Sequence, residues 1–208
     1  QSVSEFQEQR DTGSVVMVSK SEYLDMMQDI PETRGYLTSP IFQEGFEEWN
    51  PSSPLNIAAE ATRQLMGARG ANVMGGIGTK ESPPSGYPYP DYDPARWGME
   101  FGHEIGHSGM KQTNPFYDFT SKLRSPLDYK EGGAEETLSR LHDYMYGNYK
   151  EPFWGSGASS FLRQRGYIEP NEPGQMHYNV DFTPKAYDAI RNSNLKDWQK
   201  GVMSLGPT

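Results

Sequence analysis

Apolar positions along this chain recur mostly at helical spacing. Trp97, Phe101 and Ile105 fall on every fourth residue and lay one stripe along the stretch 93–109. Asp93 suits an N-cap, Pro94 the first helical position and Gly109 the stop, so the pattern predicts one helix there. Upstream, Ser19 and Glu22 have capping-box spacing for a helix to about Asp29, ahead of Pro31. Ile57, Ala58, Ala61, Leu65 and Met66 predict the inner face of a helix from Leu55 to about Met66, opened by Ser53-Pro54. Ala134, Leu138, Leu141 and Met145 predict the core stripe of a helix that opens near Glu131 and ends before Gly147. Shorter helices are expected over 158–165, from Thr183-Pro184 to about 192–194, and over 195–203.

Strand signals are fewer. Ser14 to Val18 is β-branched and short, which predicts a buried strand, and residues 1–13 read as loose. Ala71 to Gly78 reads as a glycine-weakened strand at the edge of a cleft, where glycines would let a substrate backbone approach, or as a Gly-rich loop. Residues 31–54 read as loop with one strand near Gly35–Leu37. Three Tyr and four Pro between Glu81 and Tyr92 predict a stiff extended loop leading onto the 93–109 helix. The resulting expectation is an α+β fold. A small mixed sheet would pack on the 93–109 helix within 14–109, and residues 110–208 would form a mostly helical half of the same single domain, 1–208.

The chemistry sits inside the predicted helix as His103-Glu104-Ile105-Gly106-His107. Four residues make slightly more than one turn, so His103 and His107 project from one face, one above the other. Two imidazoles so placed can bind one zinc ion. Glu104 is turned about 100° from His103 and can reach a water on the metal without ligating it. This is the H-E-x-x-H arrangement, with Glu104 as general base. The competing reading is an amphipathic core helix with two satisfied histidines.

A catalytic zinc needs three protein ligands and an open position. His142 and His177 do not follow the motif closely enough to serve. Glu131 and Glu135 lie four apart on one face of the next long helix. Glu131 is favoured as ligand, with Glu135 accepting a hydrogen bond from a ligand imidazole. In the alternative Glu135 ligates and Glu136 or Ser139 supports it. Candidates for the oxyanion donor are Tyr129, Tyr144, His177 and Tyr178, with the pair His177-Tyr178 preferred.

The two motifs together, His103 to His107 and Glu131-Gly132-Gly133-Ala134-Glu135, resemble the gluzincin branch of the zincin metallopeptidases. Ser85-Gly86-Tyr87-Pro88-Tyr89, Trp97 and the His-Glu-Ile-Gly-His core are similar to enhancin-like and mucin-degrading peptidases. Over the core the chain is equally similar to phage-borne and antirestriction zincins. In the enhancin-like group an Asn follows the second His, where this chain has Ser108. That group's third-ligand helix aligns on Glu135-Glu136-Thr137, so the choice between Glu131 and Glu135 stays open. The resemblance implies a zincin-like fold, with the small sheet packed on an active-site helix, and a zinc-dependent endopeptidase acting on protein or peptide substrates, glycoproteins included. The rivals are a zinc aminopeptidase or amidase, and a binding or structural module on the same scaffold.

Composition narrows the setting. A formal net charge of −9 with no Lys/Arg run argues against nucleic acid as partner. The absence of Cys excludes disulfides and thiolate chemistry, and no stretch approaches the length of a membrane span. Aromatic content of 12% excludes a disordered chain, while 22 Gly and 16 Pro suit a loop-rich, secreted or extracellular enzyme. The opening residue, Gln1, fits a processed or excised chain.

Overall fold

The computed structural model describes residues 19–51, 53–66, 70–73, 76–79, 94–110, 134–147, 158–169 and 181–207. Within them the protein is mostly helical with a small two-stranded antiparallel sheet, in keeping with α+β. The chain divides into two compact units, Gln1–Gly109 and Met110–Thr208. The expected strand at 14–18 and the Tyr/Pro stretch at 81–92 lie outside the described residues.

In the first unit, α1 (Lys20–Asp29) starts at the Ser19/Glu22 capping box. Ser19 N–H donates to the Glu22 carboxylate at 2.6 Å. That bond holds the Glu22 carboxyl below its ordinary range. The next region corrects the sequence reading. Instead of a loop with a strand near Gly35–Leu37, residues Arg34–Thr38 form a 3-10 turn and Pro40–Glu48 form helix α2. Ser39 caps α2 by accepting from the Phe42 amide at 3.2 Å, and Pro40 takes a first-turn position where its missing N–H costs nothing. Lys20 closes the other end by donating to the carbonyls of Phe46 and Glu47 at 2.7 and 2.6 Å.

Helix α3 (Pro54–Met66) forms where expected but turns the other way. The face predicted to be inner is outside, with Ile57 75% and Leu65 89% exposed, while Ala59 and Arg63 are buried. The cause is the hairpin β1 (Gly70–Val73) and β2 (Gly76–Thr79), which stands where the sequence reads as one glycine-weakened strand or a Gly-rich loop over Ala71–Gly78. Gly76 and Gly78 lie against α3 backbone. A Cβ on Gly78 would stand 2.6–2.7 Å from Glu60 N and Ala59 C. Only a small residue fits opposite such a backbone-to-backbone contact, so Ala59 faces in and the larger side chains face out. The expected close approach at these glycines is thus made by α3.

Helix α4 (Pro94–Gly109) covers the opposite face of the hairpin. Strand residues alternate, so Gly70, Asn72 and Ile77 share the α4 side while Ala71, Gly76 and Gly78 share the α3 side. The stripe of α4 behaves as predicted. Trp97, Phe101 and Ile105 are at most 1% exposed. Phe101 anchors an aromatic cluster, 5.0 Å from Tyr23 and Trp49 and 5.5 Å from Trp97 between ring centroids. Helix α2 crosses α4 at Gly45 and Gly109. A Cβ on Gly45 would strike the Ile105 carbonyl oxygen and stand 2.7 Å from Gly109 N.

In the second unit, α5 (Ala134–Tyr146) packs on α6 (Ala158–Gln164) and α7 (Pro184–Arg191), and α7 on α8 (Asp197–Met203). Gly166, at φ 73°, turns the chain out of α6 as a left-handed stop should. An antiparallel bridge, Ile168 to Phe182, brings it back. Leu138 and Leu141 of the predicted α5 stripe are buried, but Ala134 is exposed and Met145 half-buried. In their place Glu136, Thr137, Ser139, His142 and Asp143 are all buried. A stripe read from apolar residues alone misses a helix that buries polar ones.

Candidate metal centre

The site is built on the middle of α4. His103 and His107 stand one turn apart with their Nε2 atoms 3.1 Å from each other and their ring planes at 86°. His103 is 3% exposed and His107 half-buried. Two nitrogens at that separation share either one proton or one cation. Ligands about 2.0–2.1 Å from a tetrahedral zinc sit about 3.3 Å apart, so the pair needs almost no movement to take the ion.

Glu104, between them in sequence, is 5% exposed. Its carboxylate lies directly under β1, where a Cβ on Gly70 would strike Oε1. Two residues on, Asn72 reaches the same helix and donates from Nδ2 to the Glu104 backbone carbonyl at 3.1 Å, with the Ser108 hydroxyl at 2.5 Å. On the other side of α4, Gly102 admits the Tyr36 ring: a Cβ there would stand 2.7–2.9 Å from it. Helix α4 is therefore held by rings on one side and by a side-chain clamp on the other.

The carboxylates of α5 differ by their rotation about the helix. Glu135 is half-buried in the first turn, and Glu136 is 8% exposed with Arg140 Nε donating to its Oε1 at 2.6 Å. A carboxylate has lone pairs for more than one partner, so a guanidinium on Oε1 is compatible with metal binding. Among the described residues, the group of side chains that could hold a metal ion is His103, His107 and Glu136. It contains Glu136 rather than Glu135. Glu131, the favoured ligand from sequence, lies outside the described residues, as do Tyr129, His177 and Tyr178. Tyr144 is buried in the second unit with its ring 6.3 Å from Phe182. Nearby, burial raises the Tyr146 hydroxyl above its ordinary range.

Sequence reasoning singled out His103, Glu104 and His107. It gave Glu136 only a supporting role and missed Gly70 and Asn72. The signal for Glu136 was present. It sits three and seven residues before Ser139 and Asp143, so all three share the buried polar face. Nothing in the sequence ties Asn72 to a helix more than thirty residues later. No family model, no curated protein and no solved structure matches the chain. Among the described residues, no helix is long and apolar enough to cross a membrane.

Proposed function

We propose that this protein is a zinc-dependent endopeptidase of the gluzincin type, with His103, His107 and Glu136 as the metal's protein ligands and Glu104 as general base. The observation that carries the reading is the facing pair of Nε2 atoms, 3.1 Å apart on a helix whose intervening carboxylate is 5% exposed. The donor set, two neutral imidazoles and one carboxylate, suits zinc in a hydrolytic site. Zinc there supplies an acidified water and a polarised substrate carbonyl. Glu104 takes the proton from the attacking water and passes it to the leaving amine. Burial of His103 and Glu104 limits bulk water around that transfer. The zincin-like architecture, with peptides, secreted proteins or glycoproteins as substrates, belongs to the same proposal.

The test is Glu104→Gln. The amide is nearly isosteric, so zinc content and thermal stability should match wild type while peptide cleavage falls roughly 10²–10⁴-fold. The substrate panel should include denatured proteins and glycosylated mucins, and a chelator should suppress cleavage. A zinc-loaded wild type that cuts nothing on the panel would favour a binding module. A Gln variant as fast as wild type would remove Glu104 as base.

A further inference from the structure

We propose that Gly70 is a positioning residue for Glu104: its missing side chain is the space that the Glu104 carboxylate occupies, and β1 thereby fixes the direction in which that carboxylate points. The inference rests on the reading of Glu104 as general base, but the contact itself does not.

Three observations support it. A Cβ on Gly70 would collide with Glu104 Oε1 and stand 3.0 and 3.1 Å from Cδ and Cγ. The three nearest atoms to that position all belong to this one side chain. Second, the strand cannot back away. Asn72, on the same face two residues on, is tied to the Glu104 carbonyl and to Ser108, one turn along α4. From behind, Gly76 and Gly78 of the paired strand are seated on α3 backbone, so the hairpin is held between two helices. Third, Glu104 is 5% exposed, so its carboxylate has little solvent-side room for an alternative rotamer. A methyl group at position 70 must therefore be accommodated at the carboxylate, the most movable atoms in the contact. A general base displaced by about 1 Å loses rate far out of proportion to any change in the fold.

A double-mutant cycle on chelator-treated protein tests the contact without reference to activity. Gly70→Ala should lower the Tm by several degrees in the wild-type background and hardly at all in the Glu104→Ala background, where the obstructing group is gone. If Gly70→Ala alone fails to fold, recovery of a folded Gly70→Ala/Glu104→Ala protein is the equivalent result. Equal Tm losses in both backgrounds overturn the proposal. In the zinc-loaded protein, Gly70→Ala should reduce kcat at least 10-fold with KM and zinc content near wild type. A kcat unchanged by Gly70→Ala overturns the positioning role even if the cycle shows coupling. A wild type with no peptidase activity would sink the endopeptidase reading instead, and the cycle would still report whether Gly70 sets the carboxylate.

Discussion

Glu135 and Glu136 differ by one position and by about 100° of helix rotation, and that rotation decides which carboxylate faces inward. Glu136 is buried against Arg140, while Glu135 is half-buried. Glu136→Ala should therefore weaken zinc binding more than Glu135→Ala, by roughly 10–100-fold or more in a chelator competition. The reverse order would assign the ligand to Glu135, and equal, negligible effects would return the role to Glu131. His103→Ala and His107→Ala should each abolish stoichiometric zinc in elemental analysis; wild-type zinc content in both would dissolve the site. At this scale the sequence is most informative where chemistry depends on local spacing. Four residues of helix are enough to place His103 and His107. It is least informative where a residue acts across the fold, as Asn72 does on Ser108.

At the scale of the element, capping decided what periodicity could not. The box at Ser19 and Glu22 was legible because both partners lie within one turn. Helix α2 was not, because residues 31–54 show no clean apolar periodicity, although Pro40 sits in its first turn. Its buried residues, Ile41, Phe42, Gly45 and Phe46, also include a glycine at a contact position. Gly45 gives a prediction that runs against intrinsic propensity. Alanine in a helix interior ordinarily gains about 1 kcal/mol over glycine. Here the new methyl meets backbone of α4, which cannot turn aside, so Gly45→Ala should cost about 1–3 kcal/mol net in denaturant unfolding. The capping box gives a pH effect of definite sign. Glu22 has a folded pKa below its unfolded one because Ser19 N–H bonds the ionised form. Its stabilising contribution is thus present above the ordinary carboxylate range and lost as pH falls through the lowered value. Glu22→Gln should flatten that part of the acid unfolding curve.

For the whole molecule, helix positions were easier to read than helix orientations. The sequence pattern placed α1, α3, α4, α6 and α7 to within a residue or two. It inverted α3 because apolar periodicity assumes that side chains make the contact. The hairpin offers α3 glycine backbone instead, and that selects Ala59 over Leu65. On α5 the same assumption hid a buried polar face of Glu136, Ser139 and Asp143, with His142 beside it. An ion that binds only the native protein should raise its stability by about 2.7 kcal/mol at one hundred times Kd. Thermal unfolding with and without zinc measures this, and His103→Ala should erase the difference.

The hairpin is also a place where docking can be timed. In the Asn72–Ile77 pair, the Ile77 amide donates to Asn56 Oδ1 of α3, at 2.9 Å. Its proton is therefore guarded by a neighbouring helix, so its exchange with deuterated solvent should follow the parting of α3 from the hairpin and not the fraying of the sheet. Asn56→Ala should speed exchange at Ile77 while the amides bonded between the strands keep their protection. The same proton would then show how often the hairpin against Glu104 loses its support.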